Sequence, residues 1–386
     1  MNIILFDGAG HNGLLPLTFT RAVAEMRTGI FTAIERWQMI SGEEVFVHTE
    51  TYLQPLYGEL PPGKGLWIDA TLLPDALLAD TILSLDENTA LAKGTDFIAG
   101  ILTTESFSAG NALACFANIQ QIQNVHRLQH PWHIFQCNDA VMREDFNLIR
   151  SGKISQQLPS SNIYINPGGI FIEEGAQVQY ATLNAATGPV YIAKNAAVME
   201  GCFIRGPFTL GVGAVLKMGA KIYGATTIGP YCIAGGEIKN SVIQAYSNKA
   251  HDGYLGDSVI GQWCNLGAGT SNSNVKNTGG IVKMWNYCEN NFIDAGTKAG
   301  MIMGDYSRAA VNTAFNTGTV AGVCCNIFNG GLLPKFIPGF SWGGSSGHKY
   351  SREKIISDIS NWKKMKGAEL TDAEQNVLLH IFDKEW

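Results

Sequence analysis

Seven aliphatic residues stand six apart along the middle of the chain: Ile192, Val198, Ile204, Leu210, Leu216, Ile222 and Ile228. Four residues after each comes Ala196, Cys202, Phe208, Ala214, Ala220, Thr226 or Cys232, all small except Phe208. Neither a helix, with a period of 3.6, nor a hairpin strand, with a period of 2, repeats at six. One large and one small inward position per hexad fits a flat β-coil. Short strands form its sides, small residues turn its corners, and successive coils stack about 4.8 Å apart. The pattern opens loosely at Ile170, Ile172 and Val178 and breaks between Glu237 and Gly253. It resumes at Ile260 and Leu266, breaks again through 272–291, and returns near Met301–Val320. Breaks in a solenoid mark loops thrown out from one face, the favoured place for binding residues.

Ahead of the coil the period changes. Ile3–Phe6 reads as a strand, followed by a loop with Gly8, Gly10 and Gly13 and a helix over Val23–Gln38. Strands at Glu44–His48 and Leu66–Asp69 and a helix near Pro74–Leu85 complete an alternation that predicts an α/β domain with a mostly parallel sheet over 1–155. The coil domain is assigned to 156–325 and a C-terminal extension to 326–386. Within the extension, Leu332–Pro338 is too proline-rich for a coil and is expected to pack along the prism. Ser351–Lys366 and Thr371–Lys384 show helical spacing, the second opening on a Thr371/Glu374 capping box.

Composition narrows the class. The 386 residues are 46% hydrophobic, enough for a large core. Net charge is −6 and no Lys/Arg block occurs, which disfavours nucleic acid or an anionic membrane and leaves charged small metabolites. No apolar run approaches the ~18–20 residues of a membrane helix. The start, Met1–Asp7, reads as a first strand rather than a signal peptide. Eight cysteines without a CxxC pair suggest a reduced, cytoplasmic protein without disulfides or structural zinc.

The first break carries the chemistry. Glu237-Ile238-Lys239 is followed by His251-Asp252-Gly253-Tyr254-Leu255-Gly256-Asp257, then Asn265-Leu266-Gly267-Ala268-Gly269-Thr270 and Asn274. A histidine titrating near neutrality suits removal of a proton from an amine or hydroxyl attacking a thioester, typically worth about 10²–10⁴ in rate. A lysine charge and asparagine amides suit a sugar phosphate. An ordinary loop histidine beside Asp252 is the plainer reading of His251. Lys239 reads equally as a solvated surface charge.

In these motifs and their spacing from Lys239 to Asn274, the stretch resembles the acetyltransferase half of the bacterial bifunctional N-acetylglucosamine-1-phosphate uridyltransferase/glucosamine-1-phosphate acetyltransferase family. The resemblance implies that His251 is the general base and Glu237 orients it. Lys239, Tyr254, Asn265 and Asn274 would hold the phosphorylated sugar. It further implies acetyl-CoA as donor, with Ala295 at the position of a family serine and Lys298 and Arg308 as phosphate contacts. It also implies a homotrimer and a left-handed coil, against the right-handed rule for about 98% of parallel crossovers. Zinc carbonic anhydrases share such coils but need three ligand histidines; only His251 lies within this one.

Gly8, Gly10 and Leu14-Leu15-Pro16-Leu17-Thr18 after the first strand resemble the signature of sugar-1-phosphate nucleotidyltransferases, although a plain strand-to-helix turn has the same glycines. Gly13 stands at the expected arginine, Val23 at the expected lysine and Thr71 at the expected Mg²⁺-binding acid. Gly8, Gly10, His11, Arg21 and Arg27 are then the nucleotide-binding candidates, and Asp7 or Asp69 those for Mg²⁺ if the domain is active. With Phe19-Thr20-Arg21, Gly304-Asp305, Asn316–Val320 and Pro334–Pro338, nearly the whole chain resembles a Bacteroidetes-type group. That group fuses a reduced nucleotidyltransferase domain to a hexapeptide-repeat acyltransferase coil. The expected function is acyl transfer from coenzyme A to an amino- or hydroxyl-sugar phosphate or nucleotide sugar. The alternatives are Mg²⁺-dependent sugar-1-phosphate nucleotidyl transfer and a non-catalytic sugar-nucleotide-binding trimeric scaffold.

Overall fold

Burial follows the hexad. All seven aliphatic positions from Ile192 to Ile228 are at most 2% exposed, and so are the seven positions four residues after them. Each large member contributes about 1.5–3 kcal/mol of transfer free energy. The computed structural model describes residues 1–344 and 348–384. It divides into two compact units: Met1–Leu14, Thr20–Met26 and Phe31–Gln129; and Leu15–Phe19, Arg27–Ile30 and His130–Trp386.

The first unit is built on a six-stranded sheet in the order Val45–His48, Asn2–Phe6, Lys64–Asp69, Asp96–Thr103, Thr89–Lys93, Asn118–Gln121. The first three strands are parallel, Asp96–Thr103 runs against both its neighbours, and the last strand is parallel to Thr89–Lys93. Ile4, Phe6, Trp67, Phe97 and Phe116 form a core on the sheet. The helix expected over Val23–Gln38 starts only at Ala33. Helix α1, Ala33–Ser41, is opened by a Thr32/Glu35 capping box. Residues 23–32 instead form a 3-10 turn and the short strands Arg27–Thr28 and Phe31–Thr32, because Gly29 takes φ +74°, which ends helical continuation. Helix α2, Ala76–Leu83, is capped by the Asp75 carboxylate.

The second unit begins at His130, so helix α3, His133–Gly152, groups with the coil. The coil has three parallel faces. The first holds nine strands, from Ile170–Ile172 to Phe336–Ile337. The second holds eight, from Gln177–Val178 to Asn326–Ile327, and the third six, from Ile163–Ile165 to Tyr254–Gly256. An α/β domain, a parallel β-helix of the kind the resemblance implies to be left-handed, and C-terminal helices are the architecture expected.

Register corrects two details. Phe208 pairs with Val190, eighteen residues back, whereas Val242 pairs with Thr227, only fifteen back, and Val259 with Val242, seventeen back. The first apparent break is therefore a shortened coil, still bearing strands, and not an extruded loop. The second is a true excursion: Ile302 pairs with Val259 across forty-three residues, which include an antiparallel hairpin of Lys283–Asn286 and Asn291–Asp294. Phe336–Ile337 does not pack loosely along the prism either. Pro334 and Pro338 flank the pair without entering it, so both N–H groups are free to join the first face beside Val320–Ala321.

At the corner between the first and second faces a residue of each coil adopts a left-handed backbone: Asn195, Gly213, Tyr231, Tyr246, Trp263, Tyr306, Cys324 and Phe340. Tyr231, Tyr246 and Trp263 stack there, with ring centroids 5.1 and 4.3 Å apart. Helix α4, Arg352–Met365, sets Lys363 over the Trp263 ring at 5.2 Å. Helix α5, Asp372–Asp383, follows the capping box read at Thr371 and Glu374. The last two residues of the extension lie outside the described residues.

Candidate functional site

On the third face Ile238 points inward, so Glu237 and Lys239 point out. Glu237 pairs with Lys221 on one side and Tyr254 on the other; Lys239 pairs with Tyr223 and Gly256. Tyr223 donates its hydroxyl to Glu237 Oε1 at 2.6 Å, and Lys239 Nζ lies 5.9 Å from the Tyr223 ring centre. Asn274 donates to the Tyr254 hydroxyl at 3.1 Å and also to Asp257, which accepts from Asn240 at 2.7 Å. Glu237, Lys239, Tyr254 and Asn274 are thus brought together. Tyr223, Asn240 and Asp257 link them and were missed, because only register reveals which residues share a rung. The Glu237 carboxylate pushes the Tyr223 phenol up to about 12; burial, then Asp257, does the same for Tyr254.

His251 is exposed on the corner between the second and third faces. Its carbonyl accepts from the buried Lys249 ammonium, which also reaches the Gly235 carbonyl at 3.3 Å. Gly269 N–H bonds the Asp252 carbonyl at 2.9 Å and Glu237 N–H the Gly253 carbonyl at 3.2 Å. A Cβ on Gly253, at φ +123°, would lie 2.1 Å from the Thr270 carbonyl, so only glycine closes this turn. The bonded partner of Glu237 is Tyr223; among the described residues no hydrogen bond joins it to the His251 ring. The orienting role expected of Glu237 is not present in this arrangement.

Two groups of candidates fall elsewhere. Asn265 lies on the second face, where Asn248 Nδ2 reaches it at 3.3 Å and Lys366 in turn bonds Asn248 at 2.9 Å. Arg308, its register partner, is set 4.8 Å from the Trp362 ring of α4. Its Nε and Nη2 are buried without a hydrogen-bond partner among the described residues, and burial lowers its pKa. Arg308 therefore braces a helix and does not present its fork to a phosphate. Ala295 is 3% exposed and bonds only through its backbone, to Val282 and Gln136. Lys298 is exposed near the neck of the excursion, where Ala299 N–H bonds the Asn274 carbonyl at 3.0 Å.

In the first unit a cavity of about 410 Å³ opens at the carboxyl ends of the parallel strands, lined among others by Asp7, Gly8, Gly10, Asp69, Asp96 and Arg127. Gly8 has φ +49°, and a Cβ on Gly10 would meet Thr71 at 2.3 Å. Asp7 accepts from His11 Nδ1 at 2.9 Å, Thr49 at 2.6 Å and Val23 N–H at 3.0 Å. Asp69 accepts from the Thr71 N–H and hydroxyl at 2.8 and 2.7 Å and from Arg127 at 3.2 Å. Arg127 also bonds Asp96. Burial raises the Asp69 carboxyl above its ordinary range against the pull of those donors.

Gly8 and Gly10 line the cavity as expected. His11 instead lies on Asp7, edge-on to Tyr52, and Arg21 is buried away from the lining. Arg27 belongs to the second unit, exchanging backbone bonds with the Gln244 side chain at 3.1 and 3.0 Å. Arg127 and Asp96 gave no sequence signal. A divalent metal does not fit these residues as they stand. Both oxygens of Asp7 and both of Asp69 already accept hydrogen bonds, and among the described residues no three His, Cys, Asp or Glu side chains are grouped to share an ion.

Residues 3–154 match the sugar nucleotidyl transferase family model. Over 227 residues the chain is 24% identical to the bifunctional protein GlmU of Synechococcus elongatus, covering 53% of this chain and 46% of that protein. It is 28% identical over 236 residues to GlmU of Methanocaldococcus jannaschii, covering 58% and 47%. The chain spans about half the length of the curated relatives it matches. A crystal structure of a histidine-to-alanine mutant of GDP-perosamine N-acetyl transferase from Caulobacter crescentus, in complex with CoA and GDP-perosamine, aligns over 88% of this chain and 91% of that one. Its identity is 10% and its TM-score 0.16.

Proposed function

Starting from a GlmU-like chain with a sugar nucleotidyl transferase domain at 3–154, we propose that the coil is an acyltransferase. It moves an acetyl or related acyl group from coenzyme A to an amino- or hydroxyl-sugar phosphate or nucleotide sugar. The reading is carried by the cluster of Glu237, Lys239, Tyr254 and Asn274 on one outward face beside the exposed His251 turn. His251 takes the proton from the acceptor amine or hydroxyl as the new C–N or C–O bond forms at the thioester carbonyl. The C–S bond breaks, and the proton passes to the departing thiolate. Lys239 faces the acceptor phosphate as a point charge, and Tyr254 and Asn274 hold the sugar. A second copy of the chain supplies the opposite wall in a homotrimer. Thiol release from acetyl-CoA with aminosugar phosphates is the test. His251→Ala lowers kcat by about 10²–10⁴ with an unchanged melting temperature, as befits an exposed side chain. Undiminished thiol release in that variant defeats the assignment.

The match at 3–154 and the glycine-lined cavity favour a second reading, sugar-1-phosphate nucleotidyl transfer. Pyrophosphate release from an NTP and a sugar-1-phosphate with Mg²⁺ decides it. The engaged carboxylates of Asp7 and Asp69 weigh against turnover.

A further inference from the structure

The acceptor cluster does not end at Lys239. A groove of about 710 Å³ continues along the third face, lined by Asn184, Phe203, Arg205, Pro207, Lys221 and Tyr223. We propose that it seats the nucleoside diphosphate of a nucleotide-linked sugar, so that the acyl acceptor is a nucleotide sugar and not a sugar 1-phosphate. The proposal rests on the acyl-transfer reading above and names its substrate class.

Length is the first argument. Phe203 pairs with Lys221, Lys221 with Glu237 and Glu237 with Tyr254, so four adjacent strands separate the ring of Phe203 from Tyr254 by three steps. At about 4.8 Å per step the track is roughly 14 Å long. A hexose phosphate covers only the Tyr254 end. Hexose, two phosphates, ribose and base in succession cover it all, and the groove volume suits a ligand of that size.

Charge and apolar surface agree. Arg205, Lys221 and Lys239 project outward along the track, while Glu237 is engaged by Tyr223. Asp139, at the rim, is paired with Arg143 at 2.5 Å, so it does not leave an unopposed negative charge in the groove. Two cations lie beside the place where the diphosphate falls when the sugar sits at Tyr254 and Asn274. At the far end Phe203 is 60% exposed, on a coil whose interior is already filled by Ile204 and its inward neighbours. A flat ring exposed between two cationic residues is a stacking platform for a base.

The test is thiol release by the full chain with acetyl-CoA and either glucosamine 1-phosphate or UDP-, GDP- or dTDP-glucosamine. At least one nucleotide-linked acceptor is expected to exceed the 1-phosphate at least tenfold in kcat/KM. That ratio should collapse about 10–100-fold in Arg205→Ala, through loss of charge-assisted phosphate bonds, and several-fold in Phe203→Ala but not Phe203→Tyr. Equal kcat/KM for linked and unlinked acceptors overturns the proposal while leaving acyl transfer standing. So does a Phe203→Ala variant that changes the oligomer in sedimentation without changing the ratio, since the ring is then a contact between copies. Absence of thiol release with every one of these acceptors removes the underlying reading and this one together.

Discussion

Lys249 is the charged residue on an otherwise apolar ladder. Along the inward line of the second face stand Val178, Val198, Leu216, Ala234, Lys249, Leu266, Ala309 and Ile327. Lys249 is 1% exposed, and burial lowers its ammonium to about 8, with Asp252 opposing the shift. A buried cation is a stability cost, and here its bonds to the carbonyls of Gly235 and His251 hold the turn that presents the candidate base. Because the folded pKa lies below the unfolded one, the unfolded chain binds more protons between about pH 8 and 10.5. The cost is full below pH 8 and disappears as pH rises through that window. Urea unfolding at pH 7.5 and pH 10 is expected to show wild-type stability rising, relative to Lys249→Met, by about 2–3 kcal/mol. Equal slopes would refute it. The grouping of Tyr254 with Asn274 was legible in the sequence because their spacing matches a motif. Tyr223 was not, since its place beside Glu237 depends on a coil shortened from eighteen residues, and the inward turn of Lys249 is likewise set by register.

Among the elements, the hexad made the coil legible because burial of the same side of each strand repeats with it. It hid the fifteen-residue coil at Thr227–Val242, since losing two residues at the corner before Glu237 and one at the corner before Val242 shifts the beat without ending the strands. The misread helix at Val23–Gln38 has a different cause. Its backbone is claimed by tertiary hydrogen bonds: Gly29 N–H and Ile30 N–H bond Asn138 and Asp145 of α3 at 2.7 and 2.8 Å, and Thr227 bonds the Gly29 carbonyl at 2.7 Å. Asn138 also donates to the Ala225 carbonyl at 2.8 Å, tying α3 to the coil. Asn138→Ala is expected to cost about 1–3 kcal/mol by leaving buried groups unpaired. Gly29→Ala, whose Cβ would fall 2.5 Å from Asp145 Oδ2 at φ +74°, should cost at least as much. Denaturant titration followed by tryptophan fluorescence checks both; a change below about 0.5 kcal/mol, the range of surface substitutions, would contradict the clamp.

Across the whole molecule, the two candidate sites differ in how their polar groups are engaged. The coil keeps its polar cluster outward, whereas the carboxylates of the first unit are occupied by the chain's own donors. Asp69, Arg127 and Asp96 form a salt-bridged chain in which one guanidinium takes the place between two acids. Titration with Mn²⁺ followed by electron paramagnetic resonance is expected to find no tight site in the full chain. Arg127→Met, by releasing Asp69 and Asp96, should strengthen Mn²⁺ binding about tenfold or more. A tight wild-type site would reverse that conclusion. Asp69 reads from the sequence as a Mg²⁺ candidate, but its engagement by Arg127 does not, because Arg127 lies fifty-eight residues away and no motif couples them.

The stack of Tyr231, Tyr246 and Trp263 at one corner has a bearing on how this solenoid tolerates change. Each ring is mounted on a left-handed residue that a non-glycine adopts only at about 1–2 kcal/mol. Mutual stacking and the Lys363 cation over the last ring offset that strain only when all three face the same way. The corner acts as an index mark: the coils that follow Tyr231 and Tyr246 hold fifteen and seventeen residues in place of eighteen, yet each returns its ring to the column, so changes of coil length are absorbed at the other corners while this one, and helix α4 against it, keeps its place.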